Sequence, residues 1–274
     1  MEIAPAGTRA YSLLLDKENE NETTARMRSA STPDLVNHGG KILKNPAFAS
    51  VYYGGYWNTS VGKRTRNYID SFGRDIVKSE YTNLWKEYGS TEGRFAGSTT
   101  MAAVKSPNRF GPGAVDDAGI REIVKMAREK MQNAPADTVF TIFLPPHTIL
   151  EAPDGSTSLD GLGGYHASYN DAHRKKVYYA AIVYSEKGNG IPFSKSARDN
   201  ITITASHEWT EAATDPDVNN GRLAWYDDSL GEVSDIPLEL GLPLDQLWGR
   251  VDGFAVQKQW SNQSGGVVLT DPAR

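Results

Sequence analysis

Residues 200–213 read Asn200-Ile-Thr-Ile-Thr-Ala-Ser-His-Glu-Trp-Thr-Glu-Ala-Ala213, and this stretch decides which fold and chemistry the chain can support. It predicts a helix over residues 199–213, which Thr214-Asp-Pro216 ends because the residue before a proline disfavours helical backbone. Apolar residues flank the acids on both sides, so we expect the helix to be substantially buried. Buried carboxylates need partners, and a cation is one such partner.

The spacing within His207-Glu208-Trp209-Thr210-Glu211 predicts a metal site. Residues four apart lie on one helix face, so His207 and Glu211 can reach the same ion. Glu208 lies about 100° round the axis, where it can act as general base on a metal-bound water. This is the zinc-peptidase helix His-Glu-x-x-His with Glu in place of the second His.

A catalytic zinc takes three protein ligands and a water, and the segment Gly231-Glu-Val-Ser-Asp235 offers two further carboxylates. Glu232 is our first choice for the third ligand, with Asp235 orienting His207; the reverse assignment stays open. We expect His166 to stabilise an oxyanion or to bind the metal, the alternative being a structural loop histidine. Tyr226 is predicted to donate to the same oxyanion, or else to be a packing aromatic.

This ligand set has a chemical consequence for the choice of metal. Two carboxylates and one neutral imidazole cancel the charge of Zn²⁺, so the bound water becomes less acidic and selectivity over Mn²⁺ or Ca²⁺ falls. Two other segments resemble a Ca²⁺ loop only weakly. They are Asp215, Asp217, Asn219 and Gly221, and Asp154, Ser156, Ser158 and Asp160.

The rest of the chain predicts an α+β fold with α/β-like layers, in which a central mixed sheet packs on helices and the C-terminal part is rich in loops. Residues 1–44 are predicted to be a flexible tail because they are polar and lack apolar periodicity; residues 45–274 form one metallopeptidase-like domain. The predicted strands cover residues 49–53, 138–144, 177–184 and 253–260, the other helices cover residues 63–88 and 116–133, and long loops cover residues 89–113 and 154–164.

Composition excludes several classes of protein. The 274 residues carry a net charge of -5 and no dense Lys/Arg run, so no nucleic-acid partner is predicted. No apolar run approaches the ~18 residues of a membrane span, and without cysteine there is no disulfide framework or thiolate metal site. The start of the chain does not resemble a signal peptide, which indicates a cytoplasmic protein, or a secreted one whose signal has been removed.

The run His207-Glu-Trp-Thr-Glu-Ala-Ala-Thr-Asp-Pro216, followed by Ala224-Trp-Tyr226 and Glu232-Val-Ser-Asp235, resembles the signature of the EXORDIUM or phosphate-induced protein family. In that family a His-Glu-x-x-Glu helix precedes an Asn-Pro turn, Ala-Trp-Tyr and Glu-Ile-x-Asp. Val51-Tyr-Tyr-Gly-Gly-Tyr-Trp57 and Gly163-Gly-Tyr-His166 resemble further family segments, and the likeness covers residues 46–265. It implies a zincin-like fold and supports the metal-site residues. The chain departs from the family in lacking cysteine and in having Asp215 where Asn is usual.

Three hypotheses follow. The first is a zinc-dependent, metallopeptidase-like hydrolase acting on a peptide or protein substrate. The second is a non-catalytic, EXORDIUM-like secreted or signalling protein with a structural metal. The third is a metal-free fold in which the acids pair with Arg or Lys.

Overall fold

The structure is a computed structural model that describes residues 33–102 and 113–270. Its strands are β1 (Val36–Asn37), β2 (Ala47–Tyr53), β3 (Arg94–Met101), β4 (Ala114–Asp116), β5 (Thr138–Phe143), β6 (Ile149–Glu151), β7 (Gly164–Asn170), β8 (Lys176–Ile182), β9 (Trp225–Tyr226), β10 (Trp248–Val251), β11 (Phe254–Gln257), β12 (Gln259–Ser261) and β13 (Gly266–Val268). Its α-helices are α1 (Ser60–Ile76), α2 (Asn83–Glu87), α3 (Asp117–Lys130), α4 (Ala197–Thr214) and α5 (Ile236–Glu239).

The central sheet has five strands in the order β3-β2-β5-β8-β7. The first four are parallel, and β7 runs antiparallel to β8 at the edge. Every residue of β2 and β5 is buried, as expected for parallel strands covered on both faces, which read as continuous apolar runs. The predicted mixed sheet with packed helices is therefore confirmed.

Helices cover both faces of this sheet. Side chains of a strand alternate between its two faces, so Phe48 and Tyr52 of β2 pack towards α1 and α4, while Val51 packs towards α3. Trp209 fixes α4 on the sheet, because its ring stacks on Phe48 with centroids 4.5 Å apart and its Nε1 donates to Thr141 Oγ1 of β5 at 2.8 Å. The chemistry-bearing helix is thereby held against the middle of the sheet.

Two predicted elements differ from the structure. The helix predicted over residues 63–88 is broken after Ile76, where Ser79 Oγ donates to the Ile76 carbonyl and accepts from the Tyr81 amide. The loop predicted over residues 89–113 was wrong for β3, which runs parallel to β2. β3 lies at a sheet edge, so its residues are only partly buried and its sequence is polar. Residues 103–112 of that loop lie outside the described residues.

The N-terminal boundary also differs from the prediction. Residues 33–44, assigned to the tail, pack on the domain: Leu35 and Leu43 are buried, and β1 pairs with β9. Two isolated leucines give no periodicity that could reveal this contact. Residues 1–32 of the predicted tail lie outside the described residues. Among the helices that the structure describes, none combines the length and the apolarity needed to cross a bilayer.

Candidate metal centre

Helix α4 is buried on all its sides, as its sequence predicts. Residues 199–214 are all buried, and the side chain of Ser196 caps the N-terminus by accepting from the Asp199 amide. The sheet lies on one side of the helix and the hairpin β10–β11 packs against another. As a result His207, Glu208 and Glu211 are 8%, 4% and 3% exposed, and their charges must be compensated inside the protein.

His207 is oriented by a glutamine that the sequence did not single out. Gln257 Nε2 donates to the Ser234 carbonyl at 2.6 Å, so Gln257 Oε1 is free to accept from His207 Nδ1 at 3.0 Å. The other nitrogen, Nε2, then faces Glu211 Oε2 at 3.1 Å and Asp235 Oδ1 at 3.3 Å. Donors about 2.0–2.1 Å from a tetrahedral zinc lie about 3.3–3.4 Å apart, so each acid is at a suitable distance from Nε2 to share an ion with His207.

The two downstream acids occupy different places from those expected. Asp235, predicted to orient His207, lies on the side of Nε2 with Glu211, and Gln257 takes the orienting position. Glu232, our first choice for third ligand, lies instead beside His166, with 3.6 Å between Glu232 Oε1 and His166 Nε2. Asp235 directly precedes α5, and its Oδ2 accepts from the Glu232 amide, which leaves Oδ1 to face His207.

His166 lies on strand β7 rather than in a loop, and it is 4% exposed. Its Nδ1 is 3.3 Å from Glu208 Oε2 and 3.6 Å from Glu211 Oε2. Its Nε2 is 3.1 Å from the Asp215 carbonyl oxygen. The structure therefore brings His166 into the same cluster as the acids of α4 and Glu232.

Tyr226 lines the cavity at this cluster, together with His166, His207 and Glu208. It lies on β9, where its carbonyl oxygen is 3.2 Å from His38 Nε2. The cavity has a volume of about 50 Å³, which accommodates ions and a few waters.

Burial changes the acid–base behaviour of the carboxyl groups. Desolvation, followed by the charge of Asp235, raises the pKa of Glu211 to about 7. Desolvation, followed by the charge of Glu211, holds the pKa of Glu232 well above its usual range. Burial also raises the pKa of Asp215 to about 7 and raises the pKa of Asp235. Without a cation, the cluster therefore retains protons that exposed acids would lose.

The imidazoles respond in the opposite way to burial. Desolvation alone would lower the pKa of His166, but the hydrogen bond to Glu208 and the charges of Glu211 and Glu208 outweigh it and raise this pKa to about 9. For His207, burial is again outweighed, by the charge of Glu211 and by the neighbouring carboxylate of Asp235, and its pKa lies well above the usual range. Positive charge is thus strongly favoured at this point of the protein.

Several buried oxygens of the cluster have no hydrogen-bond partner: Glu211 Oε1, Glu232 Oε1 and Asp235 Oδ1. A buried acceptor without a partner costs about 1–3 kcal/mol. Within residues 33–102 and 113–270, the ion pairs of these acids are with histidine, and none is with Lys or Arg. The pairing with basic residues that the third hypothesis requires is therefore not found, whereas a divalent cation would satisfy these oxygens.

The side chains of the two weak calcium candidates hold their own loops together. Asp217 Oδ1 forms an ion pair with Lys176 Nζ at 2.8 Å, and Asn219 Oδ1 accepts from the Ser168 amide. In the other segment, Asp154 Oδ1 accepts from the Ser156 amide. Among the described residues, the groups of three or more ligand side chains that could hold an ion are in the α4 cluster.

Comparison with protein-family models finds no match for this chain, and comparison with curated proteins finds none either. The resemblance to the EXORDIUM family thus stays a prediction that depends on the residues quoted for it.

Proposed function

We propose that this protein is a zinc-dependent, metallopeptidase-like hydrolase with a zincin-like fold, whose zinc is held by His207, Glu211 and Asp235. One observation carries the proposal: His207 Nε2 lies 3.1 Å from an oxygen of Glu211 and 3.3 Å from an oxygen of Asp235. Gln257 Oε1 accepts from the other ring nitrogen, Nδ1, and fixes the orientation of the imidazole. One imidazole nitrogen and two carboxylate oxygens supply three protein ligands, the number that a catalytic zinc takes. The EXORDIUM resemblance supports the same residues.

The chain's own groups can supply the remaining chemistry. A zinc bound here would acidify a water and polarise the scissile carbonyl. Glu208 points from α4 towards β7, since a Cβ on Gly164 would lie 3.1 Å from Glu208 Oε1. Glu208 can accept the proton of the attacking water and deliver it to the leaving amine. Tyr226 lines the cavity, and we expect its hydroxyl to donate to the developing oxyanion.

The edge strand β7 supports a peptide as the substrate. The Leu144 amide donates to the Ile182 carbonyl, so even-numbered residues of β8 direct their backbone groups towards β5. The Val183 amide donates to the Gly163 carbonyl, which places odd-numbered residues of β8 opposite β7. The even-numbered residues of β7 therefore direct their N–H and C=O groups away from the sheet.

These outward groups lie beside the metal cluster. At Ser168 they are covered, because Asn219 accepts from its amide and donates to its carbonyl. At Gly164 and His166 the same edge reaches the cavity. An extended peptide can add to such an edge by backbone hydrogen bonds, which would bring one of its carbonyls next to Glu208.

The second hypothesis, a non-catalytic protein with a structural metal, is favoured by a different observation. The cluster is deeply buried and its cavity measures only about 50 Å³, as in a closed structural site. Removal of the ion would then unfold the domain without abolishing any hydrolysis.

Metal analysis combined with a peptide-library cleavage assay tests both functions. We expect bound zinc and cleavage for the natural chain, loss of zinc and cleavage in Glu211→Ala, and zinc without cleavage in Glu208→Gln. Glu122→Gln, at an exposed acid on α3, is the matched control and should behave as the natural chain. Stoichiometric zinc with no cleavage of a broad library would favour the structural metal, and a chain that binds no zinc would refute both.

A further inference from the structure

The ligand side chains of the cluster form two groups rather than one. His166, Glu211 and Glu232 offer ligand atoms within 4.8 Å of one another, and so do His207, Glu208 and Glu211. The two imidazoles fall in different groups, and Glu211 belongs to both. An ion placed at His207 therefore leaves His166 and Glu232 with a set of ligand atoms of their own.

We propose that the centre holds two divalent cations bridged by the carboxylate of Glu211, one at His207 and Asp235 and the other at His166 and Glu232. Glu211 has the geometry of a bridge: its Oε2 lies 3.1 Å from His207 Nε2 and 3.6 Å from His166 Nδ1. Its Oε1 is buried and has no hydrogen-bond partner, so both oxygens are available to ions.

The second metal position has a carboxylate oxygen of its own that lacks a hydrogen-bond partner. Glu232 is 6% exposed, its Oε1 has no hydrogen-bond partner, and it offers a ligand atom within 4.8 Å of ligand atoms of His166 and Glu211. The Asp215 carbonyl, 3.1 Å from His166 Nε2, can accept the proton of that nitrogen, which leaves Nδ1, on the side of Glu211, to face the ion. Gln257 orients His207 in the same way. Each imidazole thus has an acceptor that fixes its ring, the usual support of a metal-binding histidine.

Charge favours two cations over one. Four acids have carboxylate oxygens within 3.6 Å of the two imidazoles: Glu208, Glu211, Glu232 and Asp235. Two divalent cations cancel four negative charges, whereas a single one leaves half of them uncompensated in the protein interior, where charge is costly. In the described part of the chain, no Lys or Arg forms an ion pair with any of the four.

The inference rests on the proposed function for the first ion and adds a chemical property to it. Two ions about 3.5–4 Å apart could hold both the attacking water oxygen and the oxygen of the scissile carbonyl, on which negative charge develops. That arrangement would compensate for the weakly acidifying, carboxylate-rich ligand set at His207.

Metal stoichiometry tests the inference. The purified chain is saturated with Zn²⁺, freed of excess ion and measured by elemental analysis, and the same chain loaded with Mn²⁺ is examined by electron paramagnetic resonance. We expect two equivalents of zinc and an exchange-coupled manganese pair. His166→Gln should lose one equivalent and the coupling, while retaining the ion at His207.

Controls separate this inference from the proposed function. His147→Gln, at an exposed histidine paired with Glu186, should keep both equivalents. If circular dichroism shows that His166→Gln does not fold, Glu232→Gln takes its place, with the same expected loss. One equivalent in the natural chain, unchanged in the folded variant, would overturn the second ion and leave the first; no bound metal at all would overturn both.

Discussion

The substitution Gln257→Leu tests whether Gln257, on the hairpin β10–β11, raises the metal affinity of the centre by orienting His207. Leucine keeps the bulk of the side chain but removes the acceptor of His207 Nδ1 and the donor to the Ser234 carbonyl, two bonds of 3.0 and 2.6 Å. Loss of such an orienting partner weakens metal binding by about 10–100-fold, or about 1.4–2.8 kcal/mol at 1.4 kcal/mol per tenfold.

The substitution should also lower stability. His207 and Ser234 would each keep a buried polar group without a partner, at about 1–3 kcal/mol apiece. A loss of stability alone could therefore be mistaken for a specific effect on the metal. Gln259→Leu is the matched control, because Gln259 is equally buried and lies on the next strand. Gln259 Nε2 donates to Tyr81 OH and to the Gln257 carbonyl, so its loss leaves both bonds of the Gln257 side chain in place.

The assay is competition for zinc against a chromophoric chelator, with thermal unfolding measured in parallel. Gln257→Leu should lose affinity and stability, Gln259→Leu should lose stability only, and Gln257→Glu, which keeps an acceptor for His207, should recover part of the affinity. Equal zinc affinity in Gln257→Leu and the natural chain would refute the orienting role of Gln257.

Three further outcomes are expected. In the metal-free chain the pKa of Glu211 is raised from 4.5 to about 7 and that of His166 from 6.5 to about 9. Both groups bind protons more tightly in the folded state, so the stability that they contribute is lost as pH rises through these values. The melting temperature should therefore fall between about pH 5 and 9, and it should fall less with zinc bound. Trp209→Ala should cost about 3–5 kcal/mol, measured by denaturant unfolding, with Phe the milder replacement; a loss below 1 kcal/mol would contradict its role in fixing α4. Gly164→Val should impair cleavage and zinc binding, because a Cβ there would lie 2.7 Å from the Ala181 carbonyl oxygen and 3.1 Å from Glu208 Oε1, and unchanged kinetics would contradict that contact.

Local patterns carried most of what the sequence could predict. Runs of apolar residues or helical spacing predict α4, β2, β5 and β8, and these patterns depend only on neighbours in the chain. The sequence did not predict β3, because its hydrogen bonds go to β2, about 47 residues away, and its exposed edge tolerates Ser and Thr. Prediction of such strands requires knowledge of the partner.

The same distinction holds for the candidate centre. The spacing of His207, Glu208 and Glu211 is a local property of a helix, and it brought these residues together as expected. The contact of Gln257 with His207 joins residues 50 positions apart, and nothing in Phe254-Ala-Val-Gln257 distinguishes this glutamine except that it is polar at the end of an apolar strand. The position of His166 among the acids depends on how β7 packs on α4, which no local pattern encodes.

The N-terminal segment that contains β1 affects how the metal centre assembles during folding. The segment that carries Glu232 and Asp235 is held by both early and late parts of the chain: the Asp34 amide donates to Asp227 Oδ2, and the Trp260 amide donates to the Val233 carbonyl. The position of these acids therefore depends on residues far before and after them in the chain. Cation uptake would report that these distant parts of the polypeptide have met.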